Sequence, residues 1–364
     1  MFQRNRLLLT VALVGLIMMS WSIPTSAGYY DGKTITLLIP VPGGSGLDVS
    51  ARTFAQHWQK RIPGNPTIVP KNMPGAGGAQ ALNFLYERAK PDGLTMCWGP
   101  WNAAGVLSNQ AGLRYVPEKF AYIGAAGAYQ TTIIRTDVPP GLKKPADVVK
   151  AETFNVGGRR ADRHLDLVGN MAFEMIGAKY RFIGGFKGMA KIAPAIQRNE
   201  VQAGNSGHTG YHIFFKDTMI KTGKAMALWY QPNFDINGNP EKSSGAFAPN
   251  VKSFIEVYEE VHGKKPSGVM FDAYRWYLTV VSSMSHNVFG APGSPNEAVE
   301  ELRKSYQATA KDPAYLKPIE ERYGAAMRFL STEQGLKIMS SYRNVSSEIF
   351  ATLDKMSKIG RSGK

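Results

Sequence analysis

The chain has 364 residues, 43% hydrophobic and 20% charged, which points to a packed core and two domains and excludes a disordered chain. Its single cysteine, Cys97, rules out an intramolecular disulfide and a cysteine-rich metal site. The formal net charge of +15 favours an anionic partner, but no run of Lys or Arg exceeds two, and no zinc pattern or RNA-binding aromatic signature is present, so nucleic acid is not expected.

Residues 1–27 read as a secretory signal peptide. Arg4 and Arg6 precede an apolar run from Leu7 to Met19, too short to span a bilayer comfortably, and Thr25-Ser26-Ala27 places small residues for cleavage before Gly28. An uncleaved membrane anchor is the alternative. Without Arg4 and Arg6 the formal charge falls from +15 to +13. No later stretch is long and apolar enough to span, so a soluble protein exported to the periplasm is expected.

Thr34 to Pro40 is a short apolar run that reads as a buried strand. Leu47, Ala51, Phe54, Ala55 and Trp58 follow at helical spacing and predict an amphipathic helix over Leu47 to Arg61. A strand at Thr67–Val69, a helix from Gly77 to Ala89 and a strand at Leu94–Trp98 complete β-α-β-α-β, the opening of a helix-covered parallel sheet. A second set has strands near Tyr122–Gly124, Thr131–Arg135, Phe154–Gly157, Tyr180–Ile183, Val201–Ala203 and Ala225–Tyr230. Its helices are expected near Asp162–Ile176 and Met189–Arg198. Pro232 to Pro249 reads as a long irregular connection, and Trp276–Val281 as one more strand. Helices then follow at Asn296–Lys311, Pro313–Tyr323, Thr332–Tyr342 and Ser347–Ser357.

Enzyme signatures are missing. There is no H-E-x-x-H, no G-x-S-x-G elbow and no phosphate loop ending in G-K-S/T. His208 and His212 have i, i+4 spacing but no evident third ligand, so no metal or other cofactor is expected. Cys97 sits in an apolar run and reads as a core residue.

Glycine at a strand-to-helix turn leaves backbone N–H groups open to an anion, aimed by the helix dipole. Gly43, Gly44, Ser45 and Asp48 lie in such a turn, Pro42-Gly43-Gly44-Ser45-Gly46-Leu47-Asp48. Gly75 and Ala76 lie in another, Pro74-Gly75-Ala76-Gly77-Gly78, after the second strand. Lys90-Pro91-Asp92-Gly93-Leu94-Thr95 then turns into the third strand. The order P-x-G-G-x-x-x-D…A-R, N-x-P-G-A-G-G, K-P-D-G-x-T, with Ala51-Arg52 and Asn72 in place, resembles the substrate-binding receptors of tripartite tricarboxylate transporters, the periplasmic Bug receptors. Gly185-Phe186-Lys187-Gly188, Asn199–Ala203, Gly290–Pro295 and Lys311-Asp312-Pro313 are similar to later stretches of that family.

The resemblance implies an α/β, two-lobed, type II periplasmic-binding-protein fold. Each lobe would be a mostly parallel sheet covered by helices, with the C-terminal helices packed on the first lobe. Residues 28–125 would begin the first lobe, 126–255 form the second, and 256–364 return to the first. It also implies a small carboxylate held mostly by backbone amides and bridging waters, membrane transporter components as partners, and a monomer. Phe186 and Lys187 would belong to the second-lobe turn.

The chain departs from the family pattern at Gly158-Arg159-Arg160-Ala161-Asp162-Arg163-His164-Leu165, where guanidinium groups replace small donors. Arg159 or Arg160 could grip a carboxylate bidentately, or the arginines could be solvated or paired to Asp162 and Asp166. Gly158 and His164 complete the second-lobe candidates. Trp101, at the end of the third strand, could stack on an aromatic carboxylate beside Asn102, or simply pack in the core. Trp98 is read as core. The expected mechanism is hinge closure, with crossings near Gly124–Gly127 and in 250–275. A periplasmic sensor for a signalling partner, and a secreted hydrolase or lyase using His164 or His208, remain as other readings.

Overall fold

The computed structural model describes residues 28–235, 238–241, 246–247 and 250–360. The expected signal peptide lies outside them.

The first lobe starts as the hydrophobic pattern dictates. Strand β1 (Thr34–Ile39) is followed by helix α1 (Gly46–Trp58), which Ser45 caps through its hydroxyl and which buries Ala51, Phe54, Ala55 and Trp58. Then come β2 (Thr67–Asn72), α2 (Ala79–Glu87), β3 (Thr95–Gly99), the short helix α3 (Ala103–Leu107) and β4 (Ala121–Gly127). The chain crosses to the second lobe for β5 (Gln130–Arg135), β6 (Phe154–Gly157), α4 (His164–Ile176), β7 (Tyr180–Ile183), α5 (Met189–Gln197), β8 (Ala203–Gly207), α6 (His208–Phe214) and β9 (Ala225–Gln231). The connection after β9 carries a small antiparallel pair, β10 (Asn233–Phe234) and β11 (Pro240–Glu241). Helices α7 (Phe254–His262) and α8 (Val269–Tyr277) pack on the second lobe, against β9 and α4. Strand β12 (His286–Gly290) returns to the first lobe, so the return comes later than the boundary expected at residue 256. It is followed by α9 (Asn296–Ala310), α10 (Pro313–Tyr323), β13 (Arg328–Phe329), α11 (Thr332–Ser341) and α12 (Ser347–Ser357).

The strand expected at Trp276–Val281 is a helix. α8 runs into a wider π-turn over Leu278–Ser282. Tyr274, Tyr277, Leu278 and Val281 are all buried, and their spacing of three and four residues is that of one helical face.

Two sheets result. The six-stranded one has the order β13-β4-β12-β3-β1-β2, and the five-stranded one β7-β6-β8-β5-β9. Both are mixed rather than mostly parallel in their pairing. β12 pairs antiparallel with β3 and β4, and β5 antiparallel with β8 and β9. The physical reason is the two crossings: a strand arriving from the other lobe enters its new sheet against the local strand direction. The crossings lie side by side. The Ala128 amide donates to Ser285 Oγ at 3.0 Å, and a Cβ on Gly127 would stand 3.1 Å from the Ser283 backbone. The second crossing therefore falls at about Ser283–Ser285 and not within 250–275.

Each lobe has an aromatic core. In the first, Phe54 packs on Trp98 and Tyr306 with ring centroids 5.0 Å away in each case, and Trp58 Nε1 donates to Ser305 Oγ at 2.9 Å. In the second, Trp229 packs edge-on against Phe173 and Phe254. The C-terminal helices do not all sit on the first lobe. α9 and α11 cover β4, but α10 touches α6, and α12 packs on α8, α4 and α3. Among the described residues no helix is long and apolar enough to cross a membrane.

Candidate functional site

The first-lobe turns meet at the edge of the sheet that faces the second lobe, and one hydrogen-bonded network joins them. Asp48 Oδ2 accepts from the Gly44 amide at 2.9 Å. Its Oδ1 accepts from Arg52 Nε at 2.9 Å and Asn72 Nδ2 at 2.8 Å. Asn72 Oδ1 in turn accepts from Arg52 at 2.7 Å. The scattered motif residues are thus a single brace that holds one glycine turn to the next strand. Asp48, 3% exposed with both oxygens engaged, acts here as a brace.

Gly43, Gly44 and Ser45 line the start of α1. Gly44 has φ +78° with nothing within 4 Å of an added Cβ, so the turn is open on that side. The first amides of a helix have no intrahelical partner, and Ser45 Oγ takes only that of Asp48, at 3.3 Å. The second turn is more contorted: Gly75, Ala76, Gly77 and Gly78 have φ of +150°, +44°, +64° and +99°.

The lobes are closed on each other at these turns. Arg163, at the N-cap of α4, donates to the Gly77 carbonyl at 2.6 Å and the Ala76 carbonyl at 3.1 Å. A Cβ on Gly46 would lie 3.2 Å from the Gly210 amide nitrogen, so the start of α1 abuts the start of α6. Ser50 Oγ and Thr209 Oγ1 face each other at 3.5 Å beside it.

In the second lobe the chain fills its own turn. Asp166 Oδ2 accepts from the Arg159 amide at 2.8 Å and the Arg160 amide at 3.3 Å. Burial pushes its carboxyl up to about 6, opposed by Arg159. Gly158 is buried under Phe182, which lies 2.3 Å from where its Cβ would be. Arg160 forms a two-pronged pair with Asp162, the paired alternative of the two. Arg159 makes no ion pair among the described residues. His164 opens α4 with both ring nitrogens buried and unpartnered, and desolvation, aided by Arg159, pushes its pKa down to about 3. Phe186 is half-buried against Met189 and its neighbours, while Lys187 is exposed beside it.

Trp101 and Asn102 are engaged within the protein itself. Trp101 is 2% exposed and packs edge-on against Tyr342 at 4.7 Å. Asn102 caps α3, accepting from the Gly105 amide at 2.9 Å and donating to Gln110 at 3.1 Å. Trp98 is core, as read. Cys97 is fully buried, its thiol pushed up to about 12 by burial. The His208–His212 pair holds no metal cluster among the described residues; His212 Nε2 meets the Ala246 carbonyl at 3.0 Å.

Sequence reasoning gave no place to Ser285, His286 and Asn287, which the structure buries beside the crossing between the lobes. The run Ser282-Ser283-Met284-Ser285-His286-Asn287, polar yet buried, was the available signal.

Comparisons with known proteins bear on this geometry. No family model matches the chain. A UPF0065 protein of Agrobacterium vitis, from the TAR-I ttuE-ttuC' intergenic region, is 23% identical over all of this chain and 93% of its own length. The periplasmic binding protein BugD superposes with a TM-score of 0.64 at 20% identity, covering 91% of this chain and 99% of BugD. The chain has the fold of a periplasmic binding protein such as BugD. Rpa4515 of R. palustris, solved with adipate, superposes with a TM-score of 0.66 at 16% identity, covering 93% of this chain and 99% of that one. The chain therefore shares its architecture with solved periplasmic binding proteins.

Proposed function

We propose that this chain is a Bug-type periplasmic receptor that closes its lobes on a small carboxylate and delivers it to the membrane components of a tripartite transporter, without catalysing a reaction. The observation that carries this reading is the meeting of α1 and α6 starts across the cleft, at Gly46 and Gly210, beside the open Gly44 turn. An open α1 N-terminus presents free amides and the positive end of a dipole, which suit a carboxylate. The adipate bound by Rpa4515 supports that ligand class. Export through residues 1–27 and a monomeric state belong to the same reading.

Ligand contacts to both lobes would shift the population toward the closed state that the transporter recognises. The test is a thermal-shift and calorimetric screen of the mature chain against carboxylates. A ligand bound only by the folded state raises the melting temperature. A flat response across the panel, with the protein folded, would sink the proposal.

A further inference from the structure

Residues 28–31 are clasped by the first lobe. Tyr29 Oη donates to the Asp92 carbonyl at 2.9 Å, and Tyr30 Oη donates to the carbonyls of Gly93 at 3.1 Å and Ala298 at 3.3 Å. Tyr30 is fully buried. A Cβ on Gly64 would stand 2.5 Å from the Asp31 amide nitrogen, and one on Gly28 would stand 2.5 Å from Pro63 Cβ. The segment is thus pinned between the turn after α1, the turn into β3 and helix α9, and no side chain larger than that of glycine fits at position 28.

One contact in this clasp is incomplete. The Tyr29 amide donates to Glu301 Oε1 at 2.9 Å, while Oε2 of the same carboxylate is enclosed and has no hydrogen-bond partner among the described residues. The nearby cations are occupied elsewhere. Lys33 lies over the Tyr29 ring at 3.4 Å, and Arg303 bonds the Tyr122 carbonyl and Glu300. An enclosed carboxylate oxygen with no donor is costly. The Gly28 nitrogen is one residue further out, less than about 4 Å from that of Tyr29 by ordinary backbone dimensions. The Gly28 carbonyl accepts from the Asp31 amide at 3.0 Å, which holds its peptide plane in place. With nothing bonded before it, the Gly28 nitrogen could swing alone about the Cα–C bond toward the carboxylate.

We propose that removal of residues 1–27 creates an ion-pairing site, in which the new α-ammonium of Gly28 pairs with Glu301 and completes the clasp. The inference rests on the export reading above, with cleavage before Gly28 by a signal peptidase. Water adds across the Ala27–Gly28 amide bond: its oxygen completes the Ala27 carboxylate, and its two hydrogens complete the Gly28 ammonium. Before cleavage this nitrogen is a neutral amide with one hydrogen. After cleavage it is a cation with three donors, directed at the one carboxylate oxygen of the clasp that lacks a partner. The precursor lacks this pair, so part of the stability of the first lobe is acquired only on maturation.

The experiment compares thermal melting of the mature chain from Gly28, of a chain lengthened to begin at Ser26, and of Glu301→Gln at each length, all released from a removable fusion that leaves no extra residue. Melting is read at about pH 7, below the ordinary α-amino value of about 7.7–8.0, where the amine is charged. The chain from Gly28 should melt about 2–4 °C above the lengthened one. Glu301→Gln keeps an oxygen for the Tyr29 amide but carries no charge, so it should erase that difference. The Gly28 amine should also react more slowly with an acylating reagent than the Ser26 amine of the lengthened chain. Equal melting and equal acylation of the two lengths, or a melting difference that persists in Glu301→Gln, overturns the pairing and leaves the export reading standing. Exported material whose first residue is not Gly28, read by mass spectrometry, overturns the proposal together with that cleavage site. The comparison of lengths and the acylation rate need no substitution, so a misfolded Glu301→Gln chain does not spare the proposal.

Discussion

Arg163 reaches from the N-cap of α4 in the second lobe to the carbonyls of Gly77 and Ala76 in the first, at 2.6 and 3.1 Å. A planar guanidinium can serve two carbonyls at once, which an ammonium on a flexible stem does less well. Arg163→Ala and Arg163→Lys should both weaken ligand binding by favouring the open state. The loss expected for Ala is about ten- to a hundredfold, from a hydrogen bond to a charged group worth roughly 1.5–3 kcal/mol. Calorimetry gives the affinity, and small-angle scattering of the empty protein should show a more open envelope. An unchanged envelope and affinity would remove Arg163 from the closing mechanism.

Gly77→Ala should imitate Arg163→Ala. The added Cβ would sit 1.9 Å from the Arg163 guanidinium carbon, at φ +64°. Because the collision is with the end of a flexible side chain, the arginine leaves and the fold survives, with backbone strain of about 1–2 kcal/mol. The two substitutions remove one contact, so their effects on affinity should not add. Full additivity would show that they act separately.

Asp48→Ala should unbrace the first-lobe turns. It leaves the Gly44 amide and the Asn72 and Arg52 side chains without their shared acceptor. A loss of about 2–3 kcal/mol in unfolding free energy is expected, read from denaturant midpoints, together with weaker ligand binding. Retention of full stability would mean that water replaces the carboxylate at no cost.

Trp101→Ala should act on stability alone. Removing an indole packed on Tyr342 costs about 3–5 kcal/mol, whatever ligand is bound. Any selectivity between aromatic and aliphatic acids should be unaltered at temperatures where the variant is folded. A specific loss of aromatic acids would return Trp101 to the cleft.

Acid should destabilise the empty protein. His164, His208 and His286 have folded pKa values near 3, below their ordinary value, so the stability linked to their neutral forms is full above pH 6.5 and falls as pH drops toward 3. Asp166 works in the opposite direction: its folded value near 6 lies above the ordinary one, so its contribution is lost as pH rises through 6. Three groups against one decide the sign. Melting temperature should fall between pH 7 and pH 5, and a flat profile would contradict the burial of the imidazoles.

The brace was legible in the sequence as a motif order because Asp48, Arg52 and Asn72 act through one another, and a partial set would do nothing. Helix α1 was legible because Phe54 and Trp58 lie on one stripe. Val280 and Val281 misled as β-branched residues, although the buried stripe through Tyr274, Tyr277, Leu278 and Val281 has helical spacing. The pairing of Arg160 with Asp162 was one of two open alternatives, since sequence fixes proximity but not rotamer. The reach of Arg163 to Gly77 and the approach of Ser50 to Thr209 depend on how two lobes dock, a relation with no local pattern.

Helix α12 lies across α8 and α4 of the second lobe and α3 of the first, and Gly360 just beyond it stands against Phe182. Any lobe motion has to break or carry along the contacts this helix makes with both lobes. A fluorophore, affinity tag or surface tether fused at the C-terminus would ride on a moving joint and alter what it was meant to report. Tyr29 and Tyr30, bonded at the other end to Glu301, Asp92 and Gly93 within the first lobe, give a stationary point of attachment.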